Sequence, residues 1–239
     1  MALRYCSKCH IDLNHALADY FVFAKNNPTL FVNPPDAGFE ILLDEADIRE
    51  AESQMAQRLK AKDLPIEWAQ VGIAFQDQYT MILRDAVRFP NGSLGTYIRM
   101  VSDGTPGVIV LPVYQKQVLL INHFRHATRK WHIEIPRGFG IKGSSSKGNA
   151  QRELQEEIGA KISHLVALGH AYPDTGAAAE YNDLFYADVE SYGDFEVDEG
   201  ITKILPTPIL EFERMIRENE ITDEFTITAY ALAKGRNLL

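Results

Sequence analysis

The spacing of hydrophobic positions separates a helical N-terminal part of the 239-residue chain from a longer mixed part. Apolar residues recur at helical intervals in NHALADYFVFAKN, which ends at the breaker Asn26-Asn27-Pro28. A second amphipathic pattern, DEADIREAESQMAQRLKAK, begins with acidic residues and ends with basic ones, which complements a helix dipole. We therefore predict a mostly helical extension at residues 1–62.

After Pro65 the pattern changes to strands. The first β-rich runs are VGIAF, YTMILRDAVRF and GTYIRMVS, and the apolar runs GVIVLPVY and QVLLINHF follow, the second with an expected interruption at Asn122. WHIEIPRG leads to a helix at about 146–158, which Gly159 should end. Three more strands, LVALGHAY, NDLFYAD and ITKIL, precede two closing helices, PILEFERMIREN and DEFTITAYALAKG.

Strands and helices do not alternate regularly, so the pattern indicates the α+β class rather than a doubly wound sheet or a (β/α)8 barrel. We predict one main domain at residues 63–239, with N-terminal strands at 63–105 and a core at 106–239. A chain that is 46% hydrophobic is able to bury such a core.

The formal net charge of -9 argues against a general binder of nucleic acid or of anionic membranes. An acidic enzyme still acts on phosphates if divalent cations neutralise the charge. No window approaches the roughly 18 apolar residues of a membrane span, and MALRYCSKCH lacks an apolar signal core. We therefore expect a cytoplasmic protein.

The two cysteines, Cys6 and Cys9, form a C-x-x-C pair that is followed by His10. In a reducing compartment the pair is either unliganded and reduced, redox-active, or part of a small Zn2+ site completed by His10 and His15. The letters C-x-x-C-H also fit a c-type haem attachment, which requires export. No second C-x-x-C follows, so the unliganded state is the default.

The segment RELQEEIGA places three carboxylates, Glu153, Glu156 and Glu157, on one face of the predicted helix. Like charges at this spacing repel each other, so either water solvates them or a cation gathers them. Arg152 is able to pair with Glu156 at i+4 and to hold the cluster together without a metal. A solvated helix with i,i+4 pairs is the alternative interpretation.

From Gly138 to Ala160 the spacing resembles the Nudix box, G-x5-E-x7-R-E-U-x-E-E-x-G-U, at seven of nine specified positions. Ser144 replaces the first glutamate and Ala160 the last bulky aliphatic residue. The resemblance implies a Nudix α/β/α sandwich with a mixed sheet. It also implies Mg2+, or Mn2+, bound by Glu153, Glu156, Glu157 and the carbonyl of Arg137. Since serine cannot supply the missing charge, we expect weaker metal affinity.

Outside the box, VRFPNGSLGTY and VLLINHFRHATRKWHIEIPRGFG resemble the ADP-ribose pyrophosphatase branch of this superfamily, and the resemblance runs from about Pro65 to the C-terminus. It implies that Arg125 binds a substrate phosphate, as a guanidinium does with two parallel hydrogen bonds. Glu134 would lie beside the metal site, and Pro173 and Glu180 would belong to a specificity loop. A surface salt bridge for Arg125 and a solvated carboxylate for Glu180 are the alternatives.

In that branch the general base tends to come from a later acidic loop, here DFEVDEGI. Glu199 is the first candidate, Glu196 the second and Asp198 the third, because crowded carboxylates have raised pKa values that suit a base near neutral pH. A solvated acidic turn is the alternative. We place Arg152 with Glu199 and Glu196 in the predicted catalytic centre.

The resemblance also implies a homodimer in which aromatic residues of the N-terminal strands stack on adenine. Tyr97, Phe89 and Trp68 are the candidates, and core packing is the competing role for each. Residues 1–62 lie outside the resemblance and receive no functional prediction.

The function implied is Mg2+-dependent hydrolysis of the pyrophosphate bond in a nucleoside diphosphate sugar, with ADP-ribose giving AMP and ribose 5-phosphate. A broader NDP-sugar or NADH pyrophosphatase is a close alternative. A non-catalytic ADP-ribose sensor is another alternative. Ser144 favours this alternative, and the three box glutamates disfavour it. Activity on capped RNA is disfavoured by the acidic balance.

Overall fold

A computed structural model describes residues 13–102, 105–193 and 200–239, with side chains from residue 17 onward. The chain divides into two compact units, one of residues 1–103 with 174–179 and the other of residues 104–173 with 180–239. The predicted boundary at residue 62 stays a prediction. Within the described residues, no helix has both the length and the apolar character needed to cross a membrane.

The first unit packs two helices with a small antiparallel sheet. Strand β3 is central, because it pairs with β1 and β2 along one edge and with β4 along the other. Asp44 caps the second helix by accepting hydrogen bonds from the N–H groups of Ala46 and Asp47. The elements are α1 (Leu13–Asn26), β1 (Glu40–Leu42), α2 (Glu45–Ala61), β2 (Gly72–Gln76), β3 (Met81–Arg88) and β4 (Leu94–Val101).

A buried polar network ties α1 to the sheet of this unit. The Tyr20 hydroxyl donates to Asp85 Oδ1 at 2.7 Å, and Arg99 Nε lies 2.6 Å from Asp85 Oδ2. Arg99 also donates to the Leu30 carbonyl and lies over the Phe31 ring. Burial, reinforced by the Asp85 carboxylate, raises the pKa of Tyr20 above its ordinary value. The helical segment therefore shares a core with the strands that follow it.

The second unit is a mixed sheet with helices on both faces. Its strand order is β11-β6-β5-β10-β9, with β7 paired to β6 and β8 paired to β5, and β10 runs parallel to β5. The elements are β5 (Gly107–Tyr114), β6 (Gln117–Arg125), β7 (Lys130–Glu134), β8 (Arg137–Gly138), α3 (Ser146–Ile158), β9 (Lys161–Ala171), β10 (Asn182–Ser191), β11 (Ile201–Pro208), α4 (Ile209–Arg217) and α5 (Glu224–Gly235).

Alternating residues of the buried strands supply two separate cores. Val108 and Val110 face α3, whose Ala150, Leu154 and Ile158 pack in the same cluster. Ile109 and Leu111 face the opposite side, where α4 and α5 contribute residues such as Phe212. The α/β/α sandwich and the α+β class predicted from the sequence are confirmed.

Local sequence signals set the bounds of α3 as predicted. Ser145, rather than Ser144, caps the helix by accepting a hydrogen bond from the Gly148 N–H, and Gly159 ends it with a φ of 58°. The expected interruption at Asn122 was wrong, because β6 continues through Asn122 to Arg125. The amide of Asn122 donates to the Thr202 hydroxyl of β11, which lets a polar residue sit within the strand.

We expect Asp85→Ala to lower the free energy of unfolding by about 3–5 kcal/mol, because it leaves the largely buried Arg99 guanidinium without its counter-ion. Asp19→Ala, at an exposed position on α1, is the matched control. Urea unfolding followed by circular dichroism measures both. Equal midpoints for the two variants would show that the network does not stabilise this unit.

Candidate active site

The three box glutamates occupy different environments on α3. Glu153 and Glu157 are buried, with only 6% and 1% of their surface exposed, whereas Glu156 is partly exposed. The rotation of the helix follows from the packing of Ala150 and Leu154 against the sheet. A fully solvated acidic face is therefore inconsistent with two of the three positions.

Strand β8 lies directly against these carboxylates. Glu157 Oε2 accepts a hydrogen bond from the backbone N–H of Arg137 at 3.0 Å. A Cβ atom added to Gly138 would overlap the carboxylate of Glu153, so only glycine permits this approach. The box glycine and the box glutamates thus meet in space.

Arg152 is the cation that holds the cluster together. Its guanidinium lies 2.5 Å from Glu153 Oε1 and 2.5 Å from Glu156 Oε2, and it donates to the Phe139 carbonyl at 3.0 Å. One side chain of the same helix therefore pairs with two of the three carboxylates and offsets part of their charge. The predicted i,i+4 pair with Glu156 is present, and the contact with Glu153 adds to it.

Glu157 retains an unfavourable electrostatic environment. Burial raises the pKa of Glu157 to about 8, the neighbouring Glu153 and Glu134 add to the rise, and the N–H of Arg137 and the charge of Arg125 oppose it. A carboxylate in this condition is stabilised either by a proton or by an added cation.

A second buried glutamate, Glu134 at the end of β7, is surrounded by nitrogen atoms. Arg125 forms an ion pair with it, His123 Nδ1 lies 3.3 Å from its Oε1, and Arg137 lies 3.6 Å from its Oε2. Burial alone would raise the pKa of Glu134, but these contacts outweigh it and keep the pKa below its ordinary value. Since the backbone N–H of Arg137 binds Glu157 and its guanidinium lies 3.6 Å from Glu134, the two glutamates belong to one site.

The side chain of Arg137 was not anticipated from the sequence, which predicted a role only for its carbonyl. Its guanidinium lies 3.3 Å from Asp223, the residue that caps α5, and 4.7 Å above the ring of Phe225. His123 was also missed. It lies two residues before Arg125 on β6, and the alternation of a strand places the two on the same face.

The other predicted positions are distributed as follows. Glu180 is partly buried, and Ser144 is exposed, with its N–H donating to the Ile141 carbonyl. Trp68 and Tyr97 are 44% and 39% exposed, and Phe89 packs edge-on against Phe39.

Several predicted residues cannot be placed. Glu196, Asp198, Glu199, Cys6, Cys9 and His10 lie outside the described residues, as does the side chain of His15. Both the expected general base and the cysteine pair, for which zinc was one alternative, are among them.

The side chains around Glu153 and Glu157 decide whether a divalent metal could bind here. Across residues 17–102, 105–193 and 200–239, no three His, Cys, Asp or Glu side chains already converge on a common point. The donor set nevertheless suits a hard cation, because Glu153 and Glu157 offer buried carboxylate oxygens on one rigid helix. Arg152 supplies positive charge where a metal would otherwise supply it.

Comparison with known proteins agrees with this fold. Residues 104–221 match the NUDIX domain. The ADP-ribose pyrophosphatase of Bacillus subtilis (strain 168) is 26% identical over 151 residues, which cover 61% of this chain and 79% of that protein. The methanol dehydrogenase activator of Bacillus methanolicus is 26% identical over 159 residues, which cover 65% and 85%.

A solved structure described as an ADP compounds hydrolase supports the fold. It has a TM-score of 0.63 at 19% sequence identity and covers 71% of this chain and 94% of its own. Residues 104–221 are therefore a Nudix domain, and the protein is a Nudix pyrophosphohydrolase. Within that superfamily it is similar to the ADP-ribose pyrophosphatase branch.

We expect Glu157→Gln to stabilise the metal-free protein increasingly as pH rises. The folded-state pKa of about 8 exceeds the ordinary 4.5, so ionisation of Glu157 removes stability between those two pH values, whereas glutamine keeps its shape without the charge. The expected gain is on the order of a few kcal/mol at the alkaline end. Urea unfolding in a chelator at both ends of the window measures it.

Glu190→Gln, at an exposed position on β10, is the control for this series. A constant difference in unfolding free energy between wild type and Glu157→Gln across the window would contradict the raised pKa of Glu157.

Proposed function

We propose that this protein hydrolyses, with Mg2+, the pyrophosphate bond of a nucleoside diphosphate sugar, and that ADP-ribose is its substrate, giving AMP and ribose 5-phosphate. The observation that carries the proposal is the buried carboxylate pair of Glu153 and Glu157 beside the Arg125–Glu134 ion pair. The similarity to a protein named ADP-ribose pyrophosphatase supports the choice of sugar nucleotide.

The metal would be held by Glu153, Glu156 and Glu157, together with the carbonyl of Arg137. When bound, Mg2+ supplies positive charge to the bridging phosphates and lowers the pKa of a coordinated water. Mn2+ has the same preference for oxygen ligands. In this proposal Arg152 loses its contact with Glu153 when the metal binds. It keeps its contacts with Glu156 and the Phe139 carbonyl.

The chain's own residues bind and orient the diphosphate. Glu134 fixes the guanidinium of Arg125, and the rest of that fork is suited to phosphate oxygens. Glu134 is anchored in turn by His123 and Arg137, so the position of Arg125 is set before substrate arrives. This arrangement favours binding of a charged diphosphate group over binding of an uncharged linker.

We assign the general base to the acidic loop before β11, with Glu199 as the first candidate and Glu196 as the second. Its role would be to take a proton from the attacking water while Arg125 holds the phosphate. The homodimer and adenine stacking by N-terminal aromatic residues are parts of the proposal that come from the resemblance, and the cytoplasmic location is a further part that does not depend on it.

A non-catalytic nucleotide sensor is the second candidate, because Ser144 replaces a box glutamate. The retained burial of Glu153 and Glu157 favours catalysis, since a binding module gains nothing from keeping two like charges buried together. A broader NDP-sugar or NADH pyrophosphatase differs from the main proposal in substrate range only.

We expect the wild type to release AMP from ADP-ribose with Mg2+ faster than it hydrolyses NADH, ADP-glucose, GDP-mannose or diadenosine polyphosphates. Glu157→Gln should lower kcat by on the order of 100-fold or more, because it removes a charge that stabilises the metal-bound transition state. Glu190→Gln should leave kcat unchanged. Turnover that survives Glu157→Gln would exclude the proposed site, and no turnover of any substrate would favour the sensor.

We expect Ser144→Glu to lower the Mg2+ concentration at half-maximal rate by about tenfold, because a carboxylate here restores negative charge around the bound ion. Ser191→Glu, which adds the same charge at an exposed position on the end of β10, is the control. If the two variants titrate alike, then the residue at position 144 does not tune the metal site.

A further inference from the structure

Four nitrogen-bearing side chains line one face of the hairpin formed by β6 and β7. The strand register aligns His123 with His132 and Arg125 with Lys130. Directly opposite residues share a face of the ladder, and the alternation along each strand puts both pairs on the same face. Two successive cross-strand pairs of this face therefore hold histidine, arginine and lysine and no carboxylate.

This face of the hairpin is the one that carries the candidate active site. Ile121, two residues before His123, is aligned with Glu134 and packs in the same core as Leu154 of α3. His123 and Arg125 both approach Glu134 Oε1 from β6, as residues of one face do. The nitrogen-bearing pairs thus continue from Glu134 to the end of the hairpin, four residues or about 14 Å along the strand.

Lys130 faces Arg125 without a counter-ion of its own. Glu134 is the only acidic residue in positions 121–134, and it is already surrounded by Arg125, His123 and Arg137. Lys130 is exposed, and with the residues that the structure describes its ammonium forms neither a hydrogen bond nor an ion pair. Like charges directly opposite each other destabilise a sheet, so an anion between the two side chains would be stabilising.

The other arginine of the hairpin is directed elsewhere. The guanidinium of Arg129 lies 5.2 Å above the ring of Phe124, which alternates with Arg125 and so lies on the opposite face, and its Nη1 is 2.8 Å from His126 Nδ1. The N–H of Arg129 donates to the Arg125 carbonyl at 2.9 Å and closes the turn. Lys130 is therefore the residue of the turn that adds positive charge on the side of Arg125.

We propose that Lys130 is a second phosphate-binding cation, which contacts one phosphate of the substrate's diphosphate while Arg125 binds the other. The inference rests on the proposed function. A diphosphate between the two side chains would remove the repulsion across the hairpin, as Mg2+ would remove the repulsion between Glu153 and Glu157. A lysine ammonium is a compact charge on a flexible stem, so Lys130 is able to reach a phosphate that the fixed guanidinium leaves uncontacted.

Two substitutions separate the charge of Lys130 from its stem. We expect Lys130→Met, which keeps an unbranched stem, to raise KM for ADP-ribose about fivefold in low salt, the upper range for an exposed ion pair. The value of kcat should stay within about twofold, because the contact is present in the bound substrate and in the transition state alike. Lys130→Arg should keep the wild-type KM, and about 1 M NaCl should remove the difference between Lys130→Met and wild type.

Lys161→Met, at the exposed start of β9, is the matched control and should leave KM unchanged. Since Lys130 is exposed as well, neither substitution at this position is expected to prevent folding. An unchanged KM in Lys130→Met would overturn the assignment. A fall in kcat at constant KM would overturn it too, because that result would place Lys130 in the chemical step.

Isothermal titration calorimetry of the full chain with Mg2+ measures the contact without turnover. The probe is α,β-methylene-ADP, whose bridging carbon prevents cleavage between its two phosphates, and Lys130→Met should weaken its binding about fivefold. The products AMP and ribose 5-phosphate each carry one of the two phosphates, so the variant should weaken binding of one product and leave the other unchanged. Equal weakening of both products would indicate a general effect of charge and would contradict the contact.

The two readouts keep this inference separate from the proposed function. If the wild type does not hydrolyse ADP-ribose but binding of α,β-methylene-ADP depends on Lys130, the proposed reaction fails and the contact stands. If the wild type hydrolyses ADP-ribose and Lys130→Met changes neither KM nor the binding of α,β-methylene-ADP, the reaction stands and the contact fails.

Discussion

The enclosure of two like charges on one turn of α3 is the constraint on which the site depends. Glu153 and Glu157 are both buried against β8, where water cannot compensate their repulsion. Arg152 offsets part of that repulsion from the same helix, and a proton or a metal must offset the rest. Burying two carboxylates on one turn of a helix lowers the free energy of unfolding. Their burial therefore indicates a chemical role rather than a packing role.

Two buried glutamates of the same site show how partners, rather than burial, decide the charge state. Glu134 and Glu157 are both almost inaccessible to solvent. Glu134 is approached by Arg125, Arg137 and His123 and keeps a pKa below its ordinary value, so it serves as a fixed anchor for Arg125. Glu157 has a backbone N–H as its close partner and a raised pKa, so it remains receptive to an added cation.

Signals carried within one segment were predictable, and contacts between distant segments were not. Ser145 and Gly159 bracket α3, and the helical spacing of Glu153 and Glu157 depends only on neighbouring residues. The anchoring of Glu134 by Arg125 and His123 requires β6 to pair with β7, which the sequence does not specify. The contact of His170 with Tyr181 is equally hidden, because the two rings meet only through the pairing of β9 with β10. The continuation of β6 through Asn122 was not predictable either, since the hydrogen-bond partner of this polar residue, Thr202, lies on another strand.

Anomalous diffraction from crystals grown with Mn2+ and a slowly cleaved ADP-ribose analogue tests the central claim most directly. We predict manganese within about 2.1 Å of carboxylate oxygens of Glu153 and Glu157, with the Arg152 guanidinium displaced from Glu153 and the analogue's diphosphate in contact with the ion. An ordered analogue with no anomalous peak near α3, and with Arg152 still paired to Glu153, would contradict the claim.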